Sequence, residues 1–421
     1  MSLSFGRFTD SDKSKSKVSI WYNSEKLYRE KKFMDSYEAF LNYVRDDNTD
    51  NLDFRKTGNE IHFKFFQGSN IIKGNISDKG IVAESDIAEF EKPPVAVMRR
   101  LLELNYSLLY CRYAFNNNKI CLKFNSRLND GAPRKIYYAL KELASNADRQ
   151  DDLLTNEFKI LKPLETGAKE VMPEHEKQIK YKYFRKWIDE AVKITDALNQ
   201  ESFTGAISYV LLNTLYKIDY LITPQGIIMT ELERLNWQYF ANDNKPYSEK
   251  NRLLKNSFLE LLNKPETEIL KDFYKTRSTF GIPLPSHHDK LVSVINRNIE
   301  NVKYYIDNNY KNIALNIYEY IASHSLFSYG LPQADLKLLD LIMRLLNQDY
   351  LAELGADELL YHTSKNSLKS KLIKKEIKSI IDNSRSEYPD LGFNTEALNF
   401  DSLLSFLRSY YNQIKLLNFN G

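Results

Sequence analysis

The chain has little of the material from which most catalytic signatures are built. Only 14 of its 421 residues are glycine, so loops able to cradle a phosphate are scarce, and no Gly-rich phosphate loop, HExxH or GxSxG pattern occurs. Its two cysteines, Cys111 and Cys121, make neither a CxxC pair nor a disulfide framework, and a reducing, cytoplasmic setting is the expectation. Charge of one sign is missing too. A formal net charge of +3 cannot draw the whole chain to nucleic acid or an anionic membrane, so nucleic acid is not expected as a partner. No run of about 18 apolar residues is present and the first residues are polar, so the chain reads as neither membrane-spanning nor conventionally exported.

What the chain does have is tyrosine and phenylalanine, 28 and 23 residues, enough aromatic surface for large cores. With 43% hydrophobic and 27% charged residues it falls among ordinary globular proteins. Its length exceeds what one core usually serves, so two domains are expected. Residues 1–17, rich in Ser, Lys and Asp, read as a mobile tail. Residues 18–160 read as an α+β domain, 161–173, with Pro163, Gly167 and Pro173, as a linker, and 174–421 as a larger all-α domain.

The α+β reading rests on period. Trp21, Leu27, Tyr28, Phe33, Tyr37, Phe40, Leu41 and Val44 recur at helical spacing. In residues 60–67, Ile61, Phe63 and Phe65 alternate with Glu60, His62 and Lys64, as a half-buried strand requires. Turns at Gly68-Ser69-Asn70 and Asp78-Lys79-Gly80 lead into strands at 71–77 and 81–87. Pro93-Pro94 ends the pairing and opens a helix to Asn105. Residues 106–115 read as a strand apolar on both faces. After Asn116-Asn117-Asn118, residues 119–124 alternate with Ile120, Leu122 and Phe124 inward and Cys121 outward. A helix after Pro133 then presents Ile136, Tyr137, Leu140, Leu143 and Ala147 on one stripe. The expectation is a five-stranded antiparallel sheet with packed helices.

With its closing helix, IYYALKELASNADRQDDLL, this order resembles the type III secretion chaperone-like fold, including its small bacterial YbjN-type members. The resemblance covers residues 21–154 and implies a chaperone-like, protein-binding role. Tyr106, Tyr110 and Arg112 alternate on one side of the strand read at 106–115. Tyr and Arg carry much of the binding energy at protein interfaces, so these three are the candidate partner-binding residues. The partner is either another polypeptide or the chain's own second domain in cis.

Beyond residue 173 the pattern is helical, with expected helices at 175–199, 203–221, 228–242, 248–263, 265–278, 288–308, 313–324, 336–346, 350–362, 365–382 and 400–417 and no repeat period. His287-His288 beside Asp289 could offer metal ligands, but adjacent histidines point apart and an N-capping cluster is the ordinary reading. His324 and His362 read as helix-end residues favoured by the dipole. No catalytic residue, cofactor or metal is assigned. Two alternatives to a non-enzymatic protein binder stay open: an enzyme whose polar groups converge only in three dimensions, and an anionic-surface binder using the basic helix 365–378, with Lys365, Lys369, Lys371, Lys374, Lys375 and Lys378.

Overall fold

The computed structural model describes residues 3–46, 48–92, 94–362 and 367–419. The chain is α+β, with an antiparallel sheet in its first part and helices after it. The first part runs α1 (Lys15–Arg29), α2 (Phe33–Val44), β1 (Leu52–Thr57), β2 (Glu60–Gln67), β3 (Asn70–Ser77), β4 (Gly80–Glu89), α3 (Val95–Ser107), β5 (Arg112–Asn116), β6 (Lys119–Ser126), α4 (Pro133–Glu157) and β7 (Lys162–Pro163).

The strands pair in the order β1-β2-β3-β4-β6-β5, with β7 also joined to β4. The sheet therefore has seven strands where five were expected. The missed β1 exposes most of its side chains and buries only Leu52, so it carries no alternation to read. The two-residue β7 takes the place beside Ala88 and Glu89 of β4, beyond the last residues that pair with β3.

One sheet face is buried as its alternation predicts. Ile61, Phe63, Phe65, Ile72, Ile76, Ile120, Leu122 and Phe124 lie inside, against Tyr37, Phe40 and Leu41 of α2 and Ile136, Leu140, Leu143 and Ala147 of α4. α4 begins with proline at its first turn, where a missing N–H costs nothing.

The strand expected at 106–115 is corrected. The helix α3 continues through Tyr106 to Ser107, and β5 begins only at Arg112. Between them the backbone N–H groups of Leu109, Tyr110 and Cys111 donate to the Glu142 carboxylate of α4 at 2.7, 2.8 and 2.9 Å. A side chain thus satisfies donors that a neighbouring strand would otherwise take. Cys121 alternates with Ile120 and Leu122 and stands outside the core they share, yet it is fully buried and not exposed. It lies opposite Ala114 in the β5–β6 register, not opposite Cys111, and both thiols are free.

The second part comprises α5 (Glu174–Asp196), α6 (Thr204–Lys217), α7 (Gly226–Phe240), α8 (Tyr247–Asn263), α9 (Glu266–Leu270), α10 (His288–Asp307), α11 (Lys311–Ser328), α12 (Gln333–Leu346), α13 (Gln348–Glu353), α14 (Ser370–Ser384) and α15 (Leu403–Ile414). It has its own hydrophobic core. α11 buries Ile313, Ala314, Ile317, Tyr318, Ile321 and Ala322 around most of its circumference, as a central helix must. Two expected helices are cut to about half their length or less. The one at 265–278 ends at Leu270. The one at 350–362 ends at Glu353, and Tyr361–His362 pairs with Ser367–Leu368 as a two-residue strand. No helix among the described residues is long and apolar enough to cross a membrane.

The segments read as tail and linker lie against the rest of the molecule. Gly6 N–H donates to Tyr220 at 2.9 Å, and the Arg7 guanidinium contacts Asp219 and Glu233. Asp10 accepts from Tyr137 at 2.6 Å and from Gly281 N–H at 2.9 Å. In the stretch 161–173, Leu161, Ala168 and Met172 are buried, and Glu170 exchanges two backbone hydrogen bonds with Lys275, at 2.8 and 3.0 Å.

Candidate functional site

The three sequence candidates do not share a strand face. Tyr106 sits on the last turn of α3 and is 95% exposed. Tyr110 is half-buried against the core of the first part. Arg112 is exposed at the start of β5 and donates to the Cys111 carbonyl at 2.5 Å.

Around Tyr106 the helix builds a different surface. Val97 and Leu101 of α3 point inward and are buried, while Val95, Leu102 and Tyr106 lie exposed on the opposite side, spaced seven and four residues apart along one helical stripe. Leu109, 78% exposed, extends the stripe past the helix end, and the exposed cations Arg99 and Arg112 are its near neighbours in sequence. An amphipathic helix needs one apolar side; this one has two, and the second faces solvent.

The adjacent edge strand is blunted. Tyr113 N–H of β5 donates to the Asn105 side chain at 2.7 Å, and Asn105 Nδ2 donates back to the Tyr113 carbonyl at 3.4 Å. An amide from α3 thus occupies the Tyr113 main-chain groups that an added strand would use.

The cis docking surface lies elsewhere. The loop after α9 joins the β1 and β2 region: Gly68 N–H donates to Arg277 at 3.0 Å, Thr279 Oγ1 to Phe66 at 2.8 Å, and the Gln67 side chain brackets Phe280 at 3.0 and 3.2 Å. The Phe280 ring enters the sheet's own core, 5.6 Å from Phe65 and 5.4 Å from Tyr137. Arg277 stacks over Phe66 at 3.6 Å. The part of this loop up to Ser278 was expected to be helix, which ends instead at Leu270; Thr279 and Phe280 lie beyond the expected range.

An acidic cluster closes the same seam. Asp148 of α4 accepts from Ser69 N–H at 2.8 Å, and Asp151 accepts from Ser69 Oγ at 2.6 Å and Asn70 Nδ2 at 2.8 Å. Gly68 lies against the Asp148 carboxylate so closely that a Cβ there would fall 1.8 Å from its oxygen, and its φ of +55° is left-handed. Burial pushes the Asp148 carboxyl up to about 6, and burial with the neighbouring Asp152 and Asp148 raises Asp151 further above the usual range. Asp272, which caps α7 by accepting from Ile228 N–H at 2.9 Å, is likewise raised by burial to about 6. Among the described residues no group of three His, Cys, Asp or Glu side chains is arranged to hold a metal.

The chain matches no protein-family model and no curated protein.

The remaining sequence candidates have local explanations. His288 is buried with Nδ1 3.0 Å from both Asp335 oxygens, and its buried Nε2 has no hydrogen-bond partner among the described residues. Burial raises the Asp335 carboxyl. His324 is corrected: it lies within α11, not at its end, stacked on Tyr320 at 5.2 Å, and desolvation lowers it to about 4. It is neutral near pH 7 and offers no charge to the helix dipole. The His362 backbone lies in the short strand instead of at a helix end. The basic helix begins at Ser370, and Ile373, Ile377, Ile380 and Ile381 of its apolar stripe are buried in the helical core; Lys365 lies outside the described residues.

Proposed function

We propose that this chain is a non-enzymatic, chaperone-like protein that holds another polypeptide against the outward face of α3. One observation carries the reading: α3 is apolar on both sides, and the helical part of the chain docks at the Gln67–Asn70 end of the sheet and leaves Leu102, Tyr106 and Leu109 uncovered. A second polypeptide is the occupant that would remove this surface from water. At about 25 cal/mol per Å² of apolar area, a stripe of four large side chains supports a reversible contact. Its partner is a segment with apolar side chains and nearby carboxylates, the complement of Arg99 and Arg112.

Of the three sequence candidates, Tyr106 is central to this contact, Arg112 flanks it, and Tyr110 holds the chain beneath it. The test uses the full chain and a permanently unfolded carboxymethylated reporter polypeptide. Wild type is expected to slow the reporter's aggregation by light scattering and to bind it in fluorescence anisotropy. The Leu102→Ser/Tyr106→Ser double variant should melt like wild type and lose both effects. Equal activity of the two proteins overturns the proposal.

A further inference from the structure

The helical part contains a surface-open pocket of about 330 Å³ lined by residues of α5, α6, α11, α12, α13 and α15 and by Tyr361, at the small end of the roughly 300–1,000 Å³ range of ligand pockets. One wall is aromatic: Tyr183, Trp187 and Tyr350 meet edge to face with ring centroids 5.0 to 5.5 Å apart. The floor is polar and braced. Glu319, buried on α11, accepts from Asn347 Nδ2 and Asn213 Nδ2, each at 2.6 Å.

Lys217 is held between these two features. Its ammonium lies 3.3 Å from Glu319 and 5.0 Å from the Trp187 ring. An ammonium has three donors and Glu319 takes one, so Lys217 brings further donors to the cavity it lines. Lys186 lines it as well, 5.0 Å over Tyr183, with Glu190 only loosely paired at 3.9 Å. Two ammonium groups therefore border the space together with the Glu190 and Glu319 carboxylates. That balance opposes a dianion such as phosphate, because the acids would repel it. A ligand carrying one charge of each sign suits it.

We propose that this cavity binds a small zwitterion with a flat apolar body, of which a free aromatic amino acid is the simplest representative. The carboxylate meets Lys217 and Lys186, the ammonium meets Glu190, and the ring lies against Trp187 and Tyr350. Neither the composition nor any linear pattern marks this site, since its residues come from six helices and a short strand.

Isothermal titration of the full chain with L-phenylalanine, phenylacetate, phenethylamine and inorganic phosphate tests the assignment. L-Phenylalanine is expected to bind. The two single-charge analogues should bind at least about tenfold more weakly, a loss of roughly 1.4 kcal/mol, and phosphate should not compete. Lys217→Met should abolish binding, but it strands Glu319 and could unfold the domain. Glu190→Gln, at the exposed rim, is the second variant and should weaken L-phenylalanine about tenfold while leaving phenylacetate unchanged. Absence of heat with L-phenylalanine at about ten millimolar, equal affinity for phenylacetate, competition by phosphate, or indifference to Glu190→Gln each overturns the proposal.

Discussion

Replacing Asp148 by Asn should stabilise the protein, and more so as pH rises. Burial lifts the Asp148 carboxyl from 3.8 to about 6 in the folded chain, so the native state holds its proton more tightly than the unfolded state. The group therefore favours folding below about pH 4, and that advantage is withdrawn as pH climbs through about 6. The displacement corresponds to about 3 kcal/mol at full effect, and residual solvent contact cuts this to about 1.5 kcal/mol. Asn keeps the oxygen that accepts from Ser69 N–H and carries no charge to bury. Urea unfolding at pH 4, 5 and 8 should show Asp148→Asn gaining about 1.5 kcal/mol at pH 8, about half as much at pH 5 and little at pH 4. A variant destabilised progressively more as pH rises from 4 to 8 would refute the reasoning, because the carboxylate would then be acting as a favourable ionic partner.

The other predictions concern the same seam and the sheet beside it. Phe280→Ala empties a buried ring site in the sheet core and should cost roughly 3–5 kcal/mol, with faster limited proteolysis between 161 and 173. Gly68→Ala, at a buried position of this seam, should be strongly damaging for so small a substitution, since it demands left-handed backbone and displaces Asp148; a melt unchanged from wild type would refute this. Glu142→Ala leaves three N–H groups without their acceptor and should cost at least about 2 kcal/mol, with faster amide exchange at Leu109, Tyr110 and Cys111 as the check.

The sequence alone determined the elements whose side chains report their environment at a fixed period. Phe63, Phe65, Leu122 and Phe124 are buried as their alternation predicts, and α4, α5 and α10 begin within one residue of their expected starts. β1 was illegible because an exposed edge strand has no apolar alternation. Tyr106 was placed in a strand because helix and strand are equally compatible with a short two-sided apolar run, and the decision fell to Glu142, a residue far along the chain. Only tertiary structure could place Phe280 in the sheet's core, gather Asp148, Asp151 and Asp272 at one seam, or bring Lys217, Trp187 and Glu319 around one cavity. Each of these depends on which distant segments share a low-dielectric space, and no local period encodes that.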